Sequence, residues 1–189
     1  MYLNVKERGD HVATFRWIAV RLMEMLAAWV PTTPEMEVKL VFGAHIWEAA
    51  QHADLLGKRT HELRLPMHDN LEPVRGYVDL LADVARVEDT SRRIVAFYDG
   101  LLPDLERRFR RYLERVDTLL DEPTVRIVER IMADMARMTA ESRALEELPA
   151  VKQLIDRAWL DGLRRRAEDL DEIVGQRAAG SPAAAVTGR

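Results

Sequence analysis

His45, Glu48 and His52 fall at i, i+3 and i+7 within the stretch Glu35 to His61, whose remaining residues repeat with helical spacing. At roughly 100° per residue, their directions lie within a sector of about 60°. The same stripe carries Val41, Leu55 and Leu56, while Lys39, Gln51, Asp54 and Lys58 fill the opposite arc. Ionisable groups on the inner side of a helix must be partnered, ligated or put to chemical use, because an unpaired buried charge is costly. Three chemistries suit this trio. Glu48 could hold one imidazole in a fixed tautomer while the other moves a proton, making His45, Glu48 and His52 a catalytic acid/base cluster. Two imidazoles and a carboxylate are also the donor types of a non-haem iron site with open positions. Or the three form a fully satisfied hydrogen-bond network with a structural role.

Spacing limits the metal option. His45 and His52 are separated by about 10.5 Å of helix rise, so Glu48 and His52 with a ligand from elsewhere close on one ion more easily than all three. His61 and His68 are candidates for that ligand, although both also read as exposed loop residues. Glu37 and Arg59 lie toward the two ends of the stripe, where solvent contact is expected.

The elements that must position the cluster are helices throughout, since apolar residues recur at helical spacing and alternating strands bounded by hairpin turns are missing. A first helix is predicted from Asp10 as N-cap to Val30, with Phe15, Ile18, Leu22, Met25 and Trp29 inward. Pro31 to Pro34 make a short turn, which implies that the second helix, ending near His61, runs antiparallel to the first. Glu62 to Pro73 reads as a loop long enough to serve as a lid, and Val74 to Ala85 as a short helix. A long helix follows from Thr90 to Leu120, bent by Gly100 and Pro103, with Ile94, Tyr98, Leu101, Leu105, Phe109, Tyr112 and Val116 inward. Asp121 and Pro123 open the next, which runs to about Leu148 with Val128, Ile131, Met132, Met135 and Met138 inward. Ala150 to Val174 is a further helix carrying Leu154, Trp159 and Leu163. Residues 1–174 thus form a single helical domain, and 175–189 are expected to be a disordered tail.

Composition narrows the partners. The 189 residues hold 28 basic and 32 acidic side chains, a net charge of −4 that argues against nucleic acid. The absence of cysteine excludes disulfides, thiolate catalysis and cysteine-ligated metals. Neither an apolar leader nor a membrane-spanning run is seen, so the expected location is the cytoplasm with no membrane partner. Ala13, Trp17, Val20 and Ala27 on the first helix make a homodimer face plausible. Trp17, Trp29 and Trp47 read as packing residues.

The segments GAHIWEAAQHADLLGKR, Gly43 to Arg59, and DEPTVRIVERIMADMARM, Asp121 to Met138, resemble the ferritin-like superfamily. That resemblance implies an all-α, up-down four-helix bundle over residues 10 to 147, with an extra short helix and a C-terminal helix. It also implies two iron or manganese ions held by a Glu from each of two helices and a Glu-x-x-His pair from each of two others. This chain keeps part of that set. His52 matches a family histidine, with Glu48 four residues before it and Ala49 at the usual position of the acid. On the fourth long helix the inward i, i+3 pair is Met135 and Met138, whose thioethers are poor ligands for these ions. Glu129 and Asp134 read as solvated. The expectation is therefore an enzyme or binder acting on a small organic molecule inside the bundle, without an intact dimetal centre. Phe42, Tyr98, Met132, Met135 and Met138 would line its pocket. A non-haem iron or manganese oxygenase with a reduced ligand set, and a non-catalytic structural bundle, remain as alternatives.

Overall fold

The computed structural model describes residues 2–152 and 155–177. Among these residues the chain is helical without strands, as the apolar spacing predicts. Helix α1 spans Val5–Trp29 and begins more than one turn before Asp10. The N-cap is Asn4, which accepts from the Glu7 amide while the Glu7 carboxylate accepts from the Asn4 amide, a reciprocal capping box. Asp10 lies inside the helix, buried, and pairs with Lys6. A single 3-10 turn over Val30–Thr32 leads to α2, Met36–Glu62, packed along α1.

The loop after α2 is fastened down. His68 N donates to the Gly57 carbonyl and Leu71 N to the Ala13 carbonyl, while Leu63 and Leu71 are buried. The segment expected to form a lid is thus held along α1 and the end of α2. It contains two non-glycine residues in the left-handed region, Arg64 and His68, both at loop turns. Helix α3 covers Arg75–Ala85.

The long third helix of the sequence reading is three pieces: α4 at Thr90–Ile94, a π-helical segment at Val95–Leu101 and α5 at Leu102–Arg115. The residues expected to bend it explain the break. Pro103 has no N–H to offer the Asp99 carbonyl four residues back, and Arg164 Nε donates to that oxygen instead at 2.9 Å. The widened turn is closed by Leu102 N bonding the Phe97 carbonyl, and it sets the direction in which Tyr98 projects.

Helix α6, Glu122–Glu146, returns beside α2. The order of contacts shows that the two run antiparallel, since His45 meets Glu141, His52 meets Asp134 and Arg59 meets Asp121. Rings close the assembly between α1 and the third stretch. Phe15 and Phe109 lie 4.7 Å apart, and Trp29 and Phe97 lie 6.4 Å apart. A shared core runs between the four long stretches, including every inward residue predicted for the first and third, and Val128, Ile131, Met135 and Met138 of α6.

The predicted C-terminal helix is divided into α7 at Pro149–Lys152 and α8 at Arg157–Glu168, and Leu154 lies outside the described residues. Past α8 the chain is extended. Val74 N donates to the Ile173 carbonyl, and Arg177 forms ion pairs with Asp10 and Asp69 at 2.6 Å each. Most of the expected tail, residues 178–189, falls outside the described residues. No described helix is long and apolar enough to cross a membrane.

Three surface expectations change. Of the α1 flank, Ala13 is buried beneath the loop and Ala27 is exposed, with Trp17 and Val20 between these extremes. Trp47 does not pack but stands 66% exposed, beside Leu40 and Met36 on the outer face of α2. Arg59 is buried rather than solvated, because α6 begins with an acid directly opposite it. Its guanidinium donates to Asp121 Oδ1 at 2.9 Å and to Thr124 Oγ1 at 2.7 Å.

Candidate functional site

The inward trio of α2 meets a second trio on α6 with the same spacing. Asp134, Arg137 and Glu141 also fall at i, i+3 and i+7, and the antiparallel packing sets them opposite in reverse order. The result is three rungs of opposed character: His45 with Glu141, Glu48 with Arg137, and His52 with Asp134.

The first rung reaches deepest. His45 is fully buried, and both ring nitrogens are engaged, Nδ1 with Tyr98 Oη at 2.7 Å and Nε2 with Glu141 Oε2 at 2.9 Å. A carboxylate only accepts, so Nε2 carries the proton and Nδ1 accepts from the Tyr98 hydroxyl. Burial, then the nearby Glu141 charge, push the Tyr98 hydroxyl well above its usual range, which keeps it protonated and donating. Burial also depresses the His45 pKa, against the opposing pull of Glu141. The bond from His45 holds Glu141 below the usual carboxylate range. Tyr98 and His45 are thus sealed, and only Glu141 is exposed to solvent.

The second and third rungs lie nearer the surface. Arg137 donates from one nitrogen to Glu48 Oε1 at 2.9 Å and to Asp134 Oδ1 at 3.0 Å, and its other terminal nitrogen lies 3.5 Å from Glu141. Its pKa is raised by the bonds to Asp134 and Glu48, so the charge is permanent. His52 Nε2 lies 3.2 Å from Asp134 Oδ2. Desolvation lowers the His52 pKa although Asp134 opposes it, and the ring is neutral at neutral pH. Burial works against ionisation of Asp134, but Arg137 and His52 outweigh it and hold its pKa below the usual value.

Glu48, His52 and Asp134 each offer a ligand atom within 4.8 Å of the others. The third donor that the sequence reading looks for outside α2 is therefore matched in position by Asp134 of α6. His61 and His68 are exposed and stand outside this group. The donor set does not fit two ions: the α6 pair facing Glu48 and His52 is Asp134 and Arg137, one position before Met135 and Met138, and an arginine cannot ligate. It does fit one. Two carboxylates and a neutral imidazole make a mixed oxygen and nitrogen set suited to iron, manganese or zinc.

Asp134 and Glu141 were not legible as site residues, since Asp134 reads as part of the polar arc beside Arg130 and Arg137 and Glu141 falls outside the inward stripe, where solvent exposure is the simpler expectation. The signal that finds them is the matched spacing with inverted charge. The residues expected to line an interior pocket pack instead: Phe42, Tyr98, Met135 and Met138 are buried in the core and Met132 lies at its edge. Surface clefts are found elsewhere, one of about 340 Å3 between α1 and α3 lined by Trp17, Met25 and Val78, another of about 290 Å3 beside Asp99 and Arg164. No protein-family profile, curated protein or solved structure matches this chain.

Proposed function

We propose that this chain is a ferritin-like helical bundle that has exchanged a dimetal centre for a single divalent-cation site made by Glu48, His52 and Asp134. The convergence of these three donors within 4.8 Å supports the reading, because it joins a buried neutral imidazole to two partly exposed carboxylates. With the proton on Nε2 the ring donates toward Asp134; moved to Nδ1, it leaves Nε2 a lone pair on the Asp134 side. When bound, iron or manganese would supply Lewis acidity and, for iron, oxygen chemistry at its open positions. A small organic substrate would approach along the α2–α6 groove, where Glu48 and Arg137 reach solvent, rather than through the packed interior. His45 has no free nitrogen for a substrate, so its part is to position Glu141 and Tyr98 at the neighbouring rung.

Metal analysis and manganese titration by electron paramagnetic resonance test the reading. One ion per chain is expected in the wild type and in the exposed control Glu129→Gln, with loss in His52→Ala and Asp134→Asn. Retention of the ion in His52→Ala, or a wild type that takes up no iron, manganese or zinc, would sink it.

A second reading is favoured by Arg137, which already places a positive charge between Glu48 and Asp134. On that view the three rungs are a complete structural lock between α2 and α6. It requires no ion, and it predicts that every rung variant acts on stability alone.

A further inference from the structure

The cation reading leaves Arg137 with a charge in contact with two of the three donors. Its terminal nitrogen is 2.9 Å from Glu48 and 3.0 Å from Asp134, so a cation and this guanidinium draw on the same two carboxylates. Each carboxylate has two oxygens, but the combined charge is fixed. Two carboxylates balance one divalent ion, and a retained guanidinium would leave an excess positive charge at a partly buried site. Arg137 is 46% exposed and carried on a flexible stem, so it can leave without disturbing the core. A place to go is at hand. Glu141, one turn further along α6, is 3.5 Å from the other terminal nitrogen of Arg137 and is itself held ionised by His45.

We infer that Arg137 is a built-in competitor for the cation site, and that Glu141 is the carboxylate that receives it when the site fills. The inference rests on the proposed cation site and adds what sets its affinity. Arg137 holds Glu48 and Asp134 together, which preorganises the donors while lowering their net attraction for an ion. Glu141 offsets part of the displacement cost by giving the guanidinium a second partner. His45 and Tyr98, by fixing Glu141, act as positioning residues for this exchange.

Manganese binding to the full chain, followed by electron paramagnetic resonance and by calorimetry at constant ionic strength, distinguishes the possibilities. Arg137→Gln is expected to bind manganese about tenfold more tightly than wild type, the scale of one partly solvated charge interaction. Arg137→Lys, which keeps the charge without the forked geometry, should fall between them. Glu141→Gln should weaken binding severalfold, although Glu141 lies outside the ligand set, because the displaced arginine loses its alternative partner. Equal affinity in wild type and Arg137→Gln would overturn the inference while leaving the cation site standing. Absence of manganese binding in wild type, Arg137→Gln and Arg137→Lys alike would overturn both. Circular dichroism and thermal melting of each variant confirm that it is folded, and the exposed position of Arg137 makes its substitution compatible with the fold.

Discussion

The Tyr98 hydroxyl is 2.7 Å from His45 Nδ1, and neither residue has measurable exposure. The donor comes from the π-helical segment and the acceptor from α2, so the bond ties the irregular turn to the helix that carries the inward trio. Tyr98→Phe removes the donor and leaves a buried imidazole nitrogen without a partner. Unfolding in denaturant should show a loss of about 1–3 kcal/mol. Because the ring itself stays in place, an unchanged midpoint would show that the hydroxyl contributes nothing and that the turn is held by packing alone.

Stability should also fall on the acid side. Burial lowers the folded-state pKa of His45, His52 and His11 below the ordinary value of 6.5. Between the lowered value and 6.5 the unfolded chain binds more protons than the folded one, so stability is complete above about pH 6.5 and declines as pH falls below it. Each such histidine contributes a slope of up to about 1.4 kcal/mol per pH unit. Replacing His52 with Gln should flatten the decline measured by chemical denaturation from pH 7 to pH 5. A slope that is the same in both proteins would mean that His52 titrates alike in the folded and unfolded states.

The inward stripe of α2 was legible because helical spacing fixes which residues share a side, and His45, Glu48 and His52 share it with Leu56. What they touch was not legible. The rotation of α6 depends on how Met135 and Met138 seat in the core, and that rotation brings Asp134 and Glu141 within bonding distance of the α2 histidines, Glu141 while still reaching solvent. Similar limits apply to the helix ends. Asn4 and Glu7 form a capping box recognisable in the sequence, yet Asp10 stands in front of a longer apolar run and competes as a start. Gly100 and Pro103 locate the break in the third stretch, but whether a helix answers with a kink or a widened turn depends on partners such as Arg164 on another helix.

The extended segment after α8 depends on a close backbone approach. A methyl group added at Gly175 would run into the Glu72 carbonyl, and backbone cannot swing aside as a flexible side chain can. Gly175→Ala should therefore loosen the segment without unfolding the helices. Limited proteolysis should cleave the variant beyond Asp169 faster than wild type, with far-ultraviolet circular dichroism unchanged. Identical cleavage rates would show that Ile173 and Arg177 hold the segment against this clash.

Asp121 and Arg59 pose the question of what a buried ion pair contributes. Asp121 has no exposed surface, accepts from Arg59, Thr124 and Tyr112 and lies 3.5 Å from the Arg8 guanidinium, while Arg59 also reaches Glu62 at the surface. Removing one buried charge strands the other, whereas removing the exposed partner strands nothing. Asp121→Asn is accordingly expected to cost about 3–5 kcal/mol, and Glu62→Gln less than about 1 kcal/mol. Replacing Arg59 with Met and Asp121 with Leu together should recover part of the single-variant loss, since neither of these two charges is then left unpaired, while Arg8 loses its carboxylate partner 3.5 Å away. Urea denaturation of the four proteins decides it. If the double variant is as unstable as Asp121→Asn, the network stabilises the fold through the Asp121 bonds to Thr124 and Tyr112 and its ion pair with Arg8 rather than through the Arg59 pair.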